Sequence, residues 1–216
     1  MFLIMAYLSG MSETSDTYFT VARKGESVYR EKASKFIGFA FPANSEDVVK
    51  EILGNIRKTY YDANHHCYAY CLGPKQQIYR FNDDGEPSGS AGRPIYGQLL
   101  SKGVSDTLVI VVRYFGGTKL GIPGLIHAYK QAASEALDKA GKFQKIISRN
   151  IIVKFPYENI NDVMHIQKEE DLQLVEQSFD NECRITLGVR ISKTEQVIKK
   201  LNRVPNLSTF VDVSEK

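Results

Sequence analysis

Cysteine is scarce, and its placement excludes several chemistries. Only Cys67, Cys71 and Cys183 occur, and no two form a CxxC pair, so no zinc box is spelled out. Cys67 and Cys71 stand four residues apart, on one face of a strand and too distant to bridge easily. Three unpaired thiols suit a reducing cytosol. Long hydrophobic runs are also missing: none approaches the roughly 20 residues that a membrane-spanning helix needs. The opening MFLIMAYLSG is apolar but short, with no basic segment, unlike a secretory signal. Met11 opens a more usual polar start. Residues 1–16 are therefore expected to be a disordered or non-native extension, with 1–10 arising from an upstream start. Strong charge of one sign is absent as well. The net charge is +3; Lys and Arg number 17 against 14 acids up to Phe143, and 11 against 11 afterwards. This slight basic excess permits a nucleic-acid or phosphate partner without requiring one.

Several catalytic signatures are missing too. No lysine follows the glycines at Walker spacing, the acids after Asp83 do not follow an EF-hand pattern, and EPSGSAG lacks G-x-S-x-G. Glycine is distributed unevenly. Nine of the sixteen lie between Gly85 and Gly124, and from Gln144 onward only Gly188 occurs. Two loops account for most of that concentration, FNDDGEPSGSAGRP before the apolar run TLVIVVRYF and GGTKLGIPGL after it.

The flanking segments read as regular elements. TYFTVARKGESVYREKASKFIGFAF alternates apolar and polar residues around Lys24-Gly25-Glu26, predicting paired strands with a turn there. Ser45 caps a helix carrying Val48, Val49, Ile52, Leu53 and Ile56 on one stripe. HHCYAYCLG and QQIYRF form a hairpin around Gly73-Pro74, and a short helix covers about Ile95–Ser101. TLVIVVRYF is a strand covered on both faces. A long helix from about Leu125 ends at Gly141. After the glycine-poor boundary the order is strand, helix, hairpin across Asp180-Asn181, helix, strand. That βαββαβ order is the ferredoxin-like arrangement. The expected division is 17–142 and 143–216.

Three candidate chemistries sit in the loops. Asp83, Asp84 and Glu86 could hold a hard divalent cation, or simply form a solvated turn. Gly85, Gly89 and Gly92, with Ser88 and Ser90, could make an anion nest at a helix start, with Arg93 nearby. In the second loop Arg113 and Lys119 flank Gly116 and Gly117, while Tyr114 and Phe115 offer a stacking face or core packing. His65 and His66 are adjacent on a strand and point to opposite faces, so they do not share one metal.

HHCYAY, DDGEPSGSAGRPI, VVRYFGGTKLG and GLIHAY, in this order, resemble the YigZ/IMPACT family. Ser90 stands where that family commonly has Thr, Pro123 where Gly is usual, and His127 where Arg or Lys is usual. The resemblance implies an α+β protein: a first domain similar to domain 2 of ribosomal protein S5, followed by a ferredoxin-like domain like those of elongation factors. Together with the paired loops and the slight basic excess, it points to a cytoplasmic, translation-associated regulator that binds RNA or a ribosome-associated factor, with the question of catalysis left open. Arg93, Arg113, Tyr114, Gly116, Gly117, Lys119, Ser88, Ser90 and Gly89 would form the contact. The competing reading is a metal-dependent enzyme acting on a phosphorylated small molecule, with Asp83, Asp84 and Glu86 around the metal. No other cofactor and no membrane partner is indicated, and nothing in the sequence assigns an oligomeric state.

Overall fold

The computed structural model describes residues 16–179 and 183–211. They divide into two compact units, 18–145 and 146–211, the latter with residues 16 and 17. The proposed start-site extension and the Asp180-Asn181 turn lie outside the described residues. Asp16 does not: its backbone oxygen accepts from the Ile147 N–H at 2.6 Å, and its carboxylate accepts from the Ser192 N–H at 2.7 Å.

The first unit contains β1 (Thr17–Val21), β2 (Gly25–Glu31), β3 (Ser34–Pro42), α1 (Glu46–Thr59), β4 (His65–Leu72), β5 (Ile78–Asn82), α2 (Gly92–Lys102), β6 (Thr107–Tyr114), α3 (Gly121–Ala140) and β7 (Lys142–Ile146). Five strands form one sheet in the order β2-β3-β6-β4-β5, antiparallel throughout. The strand that reads as a continuous apolar run, β6, is its centre. Successive residues of β6 serve two cores. Val109 and Val111 pack with α2 and α3, whereas Leu108, Ile110 and Val112 pack with α1. Double coverage, rather than parallel pairing, explains the uninterrupted hydrophobicity.

Strand β4 divides the same way. Cys67, Ala69 and Cys71 face α2 and α3, and Tyr68, Tyr70 and Leu72 face α1. Small residues on the α3 side let that helix lie close. Its alanines 128, 132, 133, 136 and 140 are fully buried. A β-carbon added at Gly38 would fall 2.4 Å from the Ala132 carbonyl oxygen. Ser27 Oγ donates to that oxygen at 2.7 Å.

The turn expected at Lys24-Gly25 is not a hairpin. Strand β1 pairs with β7 instead, and Gly25 starts β2 because a side chain there would strike the Ala136 carbonyl at 2.1 Å. The hairpin joins β2 to β3 through Lys32 and Ala33, both at positive φ (43° and 64°). Two such residues give the local twist that a two-residue hairpin needs. Neither is the Gly or Asn that usually marks the turn. The α1 signals are realised: Ser45 Oγ accepts from the Val48 N–H at 3.3 Å, and Glu46 and Asp47 occupy the positive end of the helix.

The second unit contains β8 (Ser148–Phe155), α4 (Ile160–Glu169), β9 (Gln173–Phe179), β10 (Cys183–Arg190), α5 (Thr194–Leu201) and β11 (Ser208–Val211). Its antiparallel sheet runs β11-β8-β10-β9. Ile151, Val153, Phe155, Ile185, Leu187 and Val189 alternate onto one face and pack with Val163 and Val197 of the helices.

The close approach of α3 makes a specific prediction. Gly38→Ala should lower unfolding stability by about 2–3 kcal/mol through overpacking and disturbance of the Ser27 hydrogen bond. Gly54→Ala, at an open helical position with nothing within 4 Å, should raise it by up to about 1 kcal/mol. Urea titrations of the two variants check both signs.

Candidate functional site

Strands β5 and β6 each pair antiparallel with β4, so they run in the same direction. The glycine loop after β5 and the glycine loop after β6 therefore emerge at one end of the sheet. The Lys32-Ala33 turn and the start of β4 lie at that same end by register.

A buried polar junction ties the loops together. Glu86, from the first loop, is 8% exposed; Arg113, at the end of β6, is 5% exposed. Arg113 Nη1 donates to Glu86 Oε1 at 2.6 Å, and the Tyr129 hydroxyl of α3 donates to the same oxygen at 2.6 Å. The Cys67 thiol lies 3.3 Å from that hydroxyl and 3.0 Å from the Asp83 carbonyl oxygen. Burial pushes the pKa of both the Tyr129 hydroxyl and the Cys67 thiol upward, so each keeps its proton. His65 reaches the junction from β4: Nδ1 lies 2.8 Å from the Asp84 carbonyl oxygen, and Nε2 lies 3.8 Å from Glu86 Oε1. His66 faces the other way, its Nε2 lying 3.0 Å from the Tyr60 carbonyl oxygen.

The backbone amides of the first loop converge on a carboxylate of the same loop. Asp83 accepts from the N–H groups of Gly89 (2.9 Å), Ala91 (3.0 Å) and Gly92 (2.8 Å). Helix α2 begins after Ala91, whose side chain cannot cap it. Asp83, eight residues upstream, supplies the missing acceptor and places negative charge at the helix start. Ser90 Oγ donates to the Pro87 carbonyl at 2.6 Å and is buried, Gly89 takes φ +75°, and Ser88 is exposed.

The three acids do not converge on a metal. Asp84 Oδ2 accepts from the His66 N–H at 2.6 Å, and its Oδ1 pairs with Arg57 at 3.2 Å. Asp83 and Glu86 are engaged as described above. Among the described residues no three His, Cys, Asp or Glu side chains gather as a metal cluster. The acidic-metal reading is corrected accordingly: Asp83 caps the start of α2, while Asp84 and Glu86 take partners on α1, β4, β6 and α3.

The second loop also needs correction. Arg113 is directed at Glu86, not at solvent. Tyr114 packs against the α1 core, and its hydroxyl donates to Asp62 Oδ1 at 2.8 Å, an interaction that pushes the phenol up to about 12. The exposed ring is Phe115, at 46% exposure, with its centroid 5.5 Å from the Arg113 guanidinium carbon. Gly116 allows close backbone contact, since a β-carbon there would lie 2.1 Å from the Ala33 carbonyl carbon. Gly117 adopts φ +83°. Lys119 and Arg93 are exposed and form no ion pair with any described residue. Sequence reasoning missed Tyr129 and Cys67 at the junction. A tyrosine in the otherwise alanine-rich buried stripe of α3 was the available signal.

Residues 32–137 match the Impact N-terminal domain, the segment that builds this loop end. IMPACT family member YvyE of Bacillus subtilis is 32% identical over 190 residues, covering 88% of each chain. The chain belongs to the IMPACT family. IMPACT family member YigZ of Escherichia coli is 28% identical over 173 residues, covering 79% of this chain and 84% of its own. A crystal structure of a hypothetical protein superposes with a TM-score of 0.75 at 26% identity, covering 94% of this chain and all of the other. This family member is thus a mixed α and β protein over nearly its whole length.

Glu86→Ala should destabilise the chain by about 3–5 kcal/mol, because it strands a buried guanidinium. The double change Glu86→Leu with Arg113→Met should recover most of that loss. Chemical denaturation of the pair and of each single variant measures the coupling.

The thiols give a second test. Cys67 and Cys71 are buried, and burial pushes Cys71 up to about 12. At pH 8 a thiol-specific reagent should leave both unmodified in the folded chain, and label all three cysteines once it is unfolded.

Proposed function

We propose that this IMPACT family member is a cytosolic, translation-associated regulator whose loop end contacts RNA, with a ribosome-associated protein as the competing partner. The observation that carries the reading is the meeting of the two glycine loops at one end of the sheet, where the cations Lys119 and Arg93 form no ion pair with any described residue and the Phe115 ring is exposed. Unpaired basic side chains on a backbone-rich end suit a phosphate chain. The buried residues act behind them. Arg113 and Glu86 hold the loops in place, Tyr114 and Ser90 brace them, and Gly89, Gly116 and Gly117 supply their backbone shape. Ser88 remains at the surface as a hydroxyl donor.

The domain reading supports the same conclusion. We read the first unit, proposed as 17–142, as similar to domain 2 of ribosomal protein S5, and the second, 143–216, as ferredoxin-like. The second reading rests on its βαββαβ element order and on its β11-β8-β10-β9 sheet. Both folds occur in proteins that touch ribosomal RNA, which is an argument by analogy. Among the described residues no helix is long and apolar enough to cross a membrane, and no membrane partner is proposed.

Co-sedimentation with ribosomes over a salt series tests this reading. Association should fall steeply with salt, and Lys119→Gln should lower the log–log slope by about 0.7–0.9 while leaving the melting temperature unchanged. Association indifferent to salt points to the protein partner. No association at low salt removes the ribosome and its RNA from the proposal.

A further inference from the structure

Strand β5 is one edge of the five-stranded sheet, and edge strands are ordinarily protected by charge, shortness or cover. This one carries Tyr79 and Phe81 at 55% and 40% exposure. Alternation places both on one face, and Tyr96 of α2 lies against them. The Tyr96 ring centroid is 4.9 Å from that of Tyr79 with the planes 18° apart, and 5.8 Å from that of Phe81 with the planes 29° apart. The exposed rings of Tyr79 and Phe81 thus lie nearly parallel to that of Tyr96, which is part-buried and also packs against the core. The buried junction and the metal question involve none of them.

Charge brackets this ladder. Arg93 precedes Tyr96 by three residues, so the two share a face of α2. Beyond the helix's far end, Gly103 and Lys75 line a common hollow of about 290 Å³. At 1.5 Å per residue, Arg93 to Gly103 spans about 15 Å. Arg93 and Lys75 are exposed and form no ion pair with any described residue. None of the five residues is acidic. Cations at both ends of exposed π surface complement a polyanion with accessible base faces, which a duplex hides in its stack. A protein adding a strand to β5 would use the backbone edge and would call for neither the parallel rings nor the flanking cations.

We infer that Tyr79, Tyr96 and Phe81 form a stacking track for a single-stranded RNA segment of about two or three nucleotides, with Arg93 and Lys75 on its phosphates. The choice of RNA over DNA rests on the proposed function; the track rests on its own geometry. Arg93 also belongs to the loop end, so one strand leaving that end would run directly onto the ladder.

Fluorescence anisotropy with 5′-fluorescein-labelled oligo(A) and oligo(U) 12-mers of RNA, at 50 and 200 mM salt, tests the track on the full chain. Wild type should bind both. The double variant Tyr79→Ala with Tyr96→Ala should weaken binding about tenfold or more with an unchanged salt slope, because stacking and not charge is lost. Tyr79→Ser, at a half-exposed position, should weaken it severalfold without affecting the melt. Arg93→Gln should weaken binding and flatten the salt slope by about 0.7. Binding of either tyrosine variant at wild-type strength overturns the track, as does a wild-type chain that binds neither oligomer at 50 mM salt. Ribosome co-sedimentation of the Tyr79→Ala, Tyr96→Ala chain separates the two readings: retained co-sedimentation leaves the loop end standing without the ladder.

Discussion

The contact between Glu86 and Arg113 is the joint on which the loop end depends. One partner comes from the loop after β5 and the other from the last turn-ward residues of β6, so a single ion pair registers two segments 27 residues apart. The Tyr129 hydroxyl adds the long helix to the same oxygen. A buried pair of this kind contributes little net stability, because both charges lose their water. It does impose geometry: each partner is costly to leave alone, so conformations that separate the loops are disfavoured. The shape of the surface outside is set by charges that the surface does not display.

The same economy appears in Asp83. An acidic turn followed by glycines looks designed to receive an external anion or cation, yet its carboxylate fills the nest built by its own loop. Cap and capped helix are separated by eight residues because the intervening loop folds back over the start of α2. With that anion supplied internally, the groups left for a partner are outward ones: Lys119, Arg93, the Phe115 ring and the tyrosine ladder beside β5. Rigid interior pairing and a solvent-facing cationic and aromatic rim are complementary features. In the contact proposed above, the first would limit the conformational entropy lost by the second.

Close packing supplies the rest of the frame. Helix α3 approaches the sheet through alanines, and glycines 25 and 38 leave room for its carbonyls. Cys67 and Cys71 belong to this arrangement as small buried side chains. Gly116 plays the corresponding part at the loop end, where the backbone passes against the Lys32-Ala33 turn. Gly116, which reads as a ligand-approach position in the sequence, therefore serves backbone-to-backbone contact.

Much was legible in the order of residues alone. Periodicity located the helices and strands, including the central β6, because burial on two faces leaves an unbroken apolar run. Ser45 and its acidic followers marked the start of α1, because capping is local. Motif order pointed to the IMPACT family, and glycine density marked both loops. What the order could not state was which partner each polar group would take. Whether Arg113 meets a phosphate or Glu86, whether Asp83 binds a metal or three amides, and whether Tyr114 or Phe115 faces outward are decided by contacts between residues distant in the chain. The pairing of β1 with β7 escaped for the same reason, and the turn at Lys32-Ala33 escaped because neither residue is the Gly or Asn that marks such turns. Local patterns record which side of an element is apolar, whereas the match between a buried charge and its partner exists only after the sheet has brought remote loops to one end.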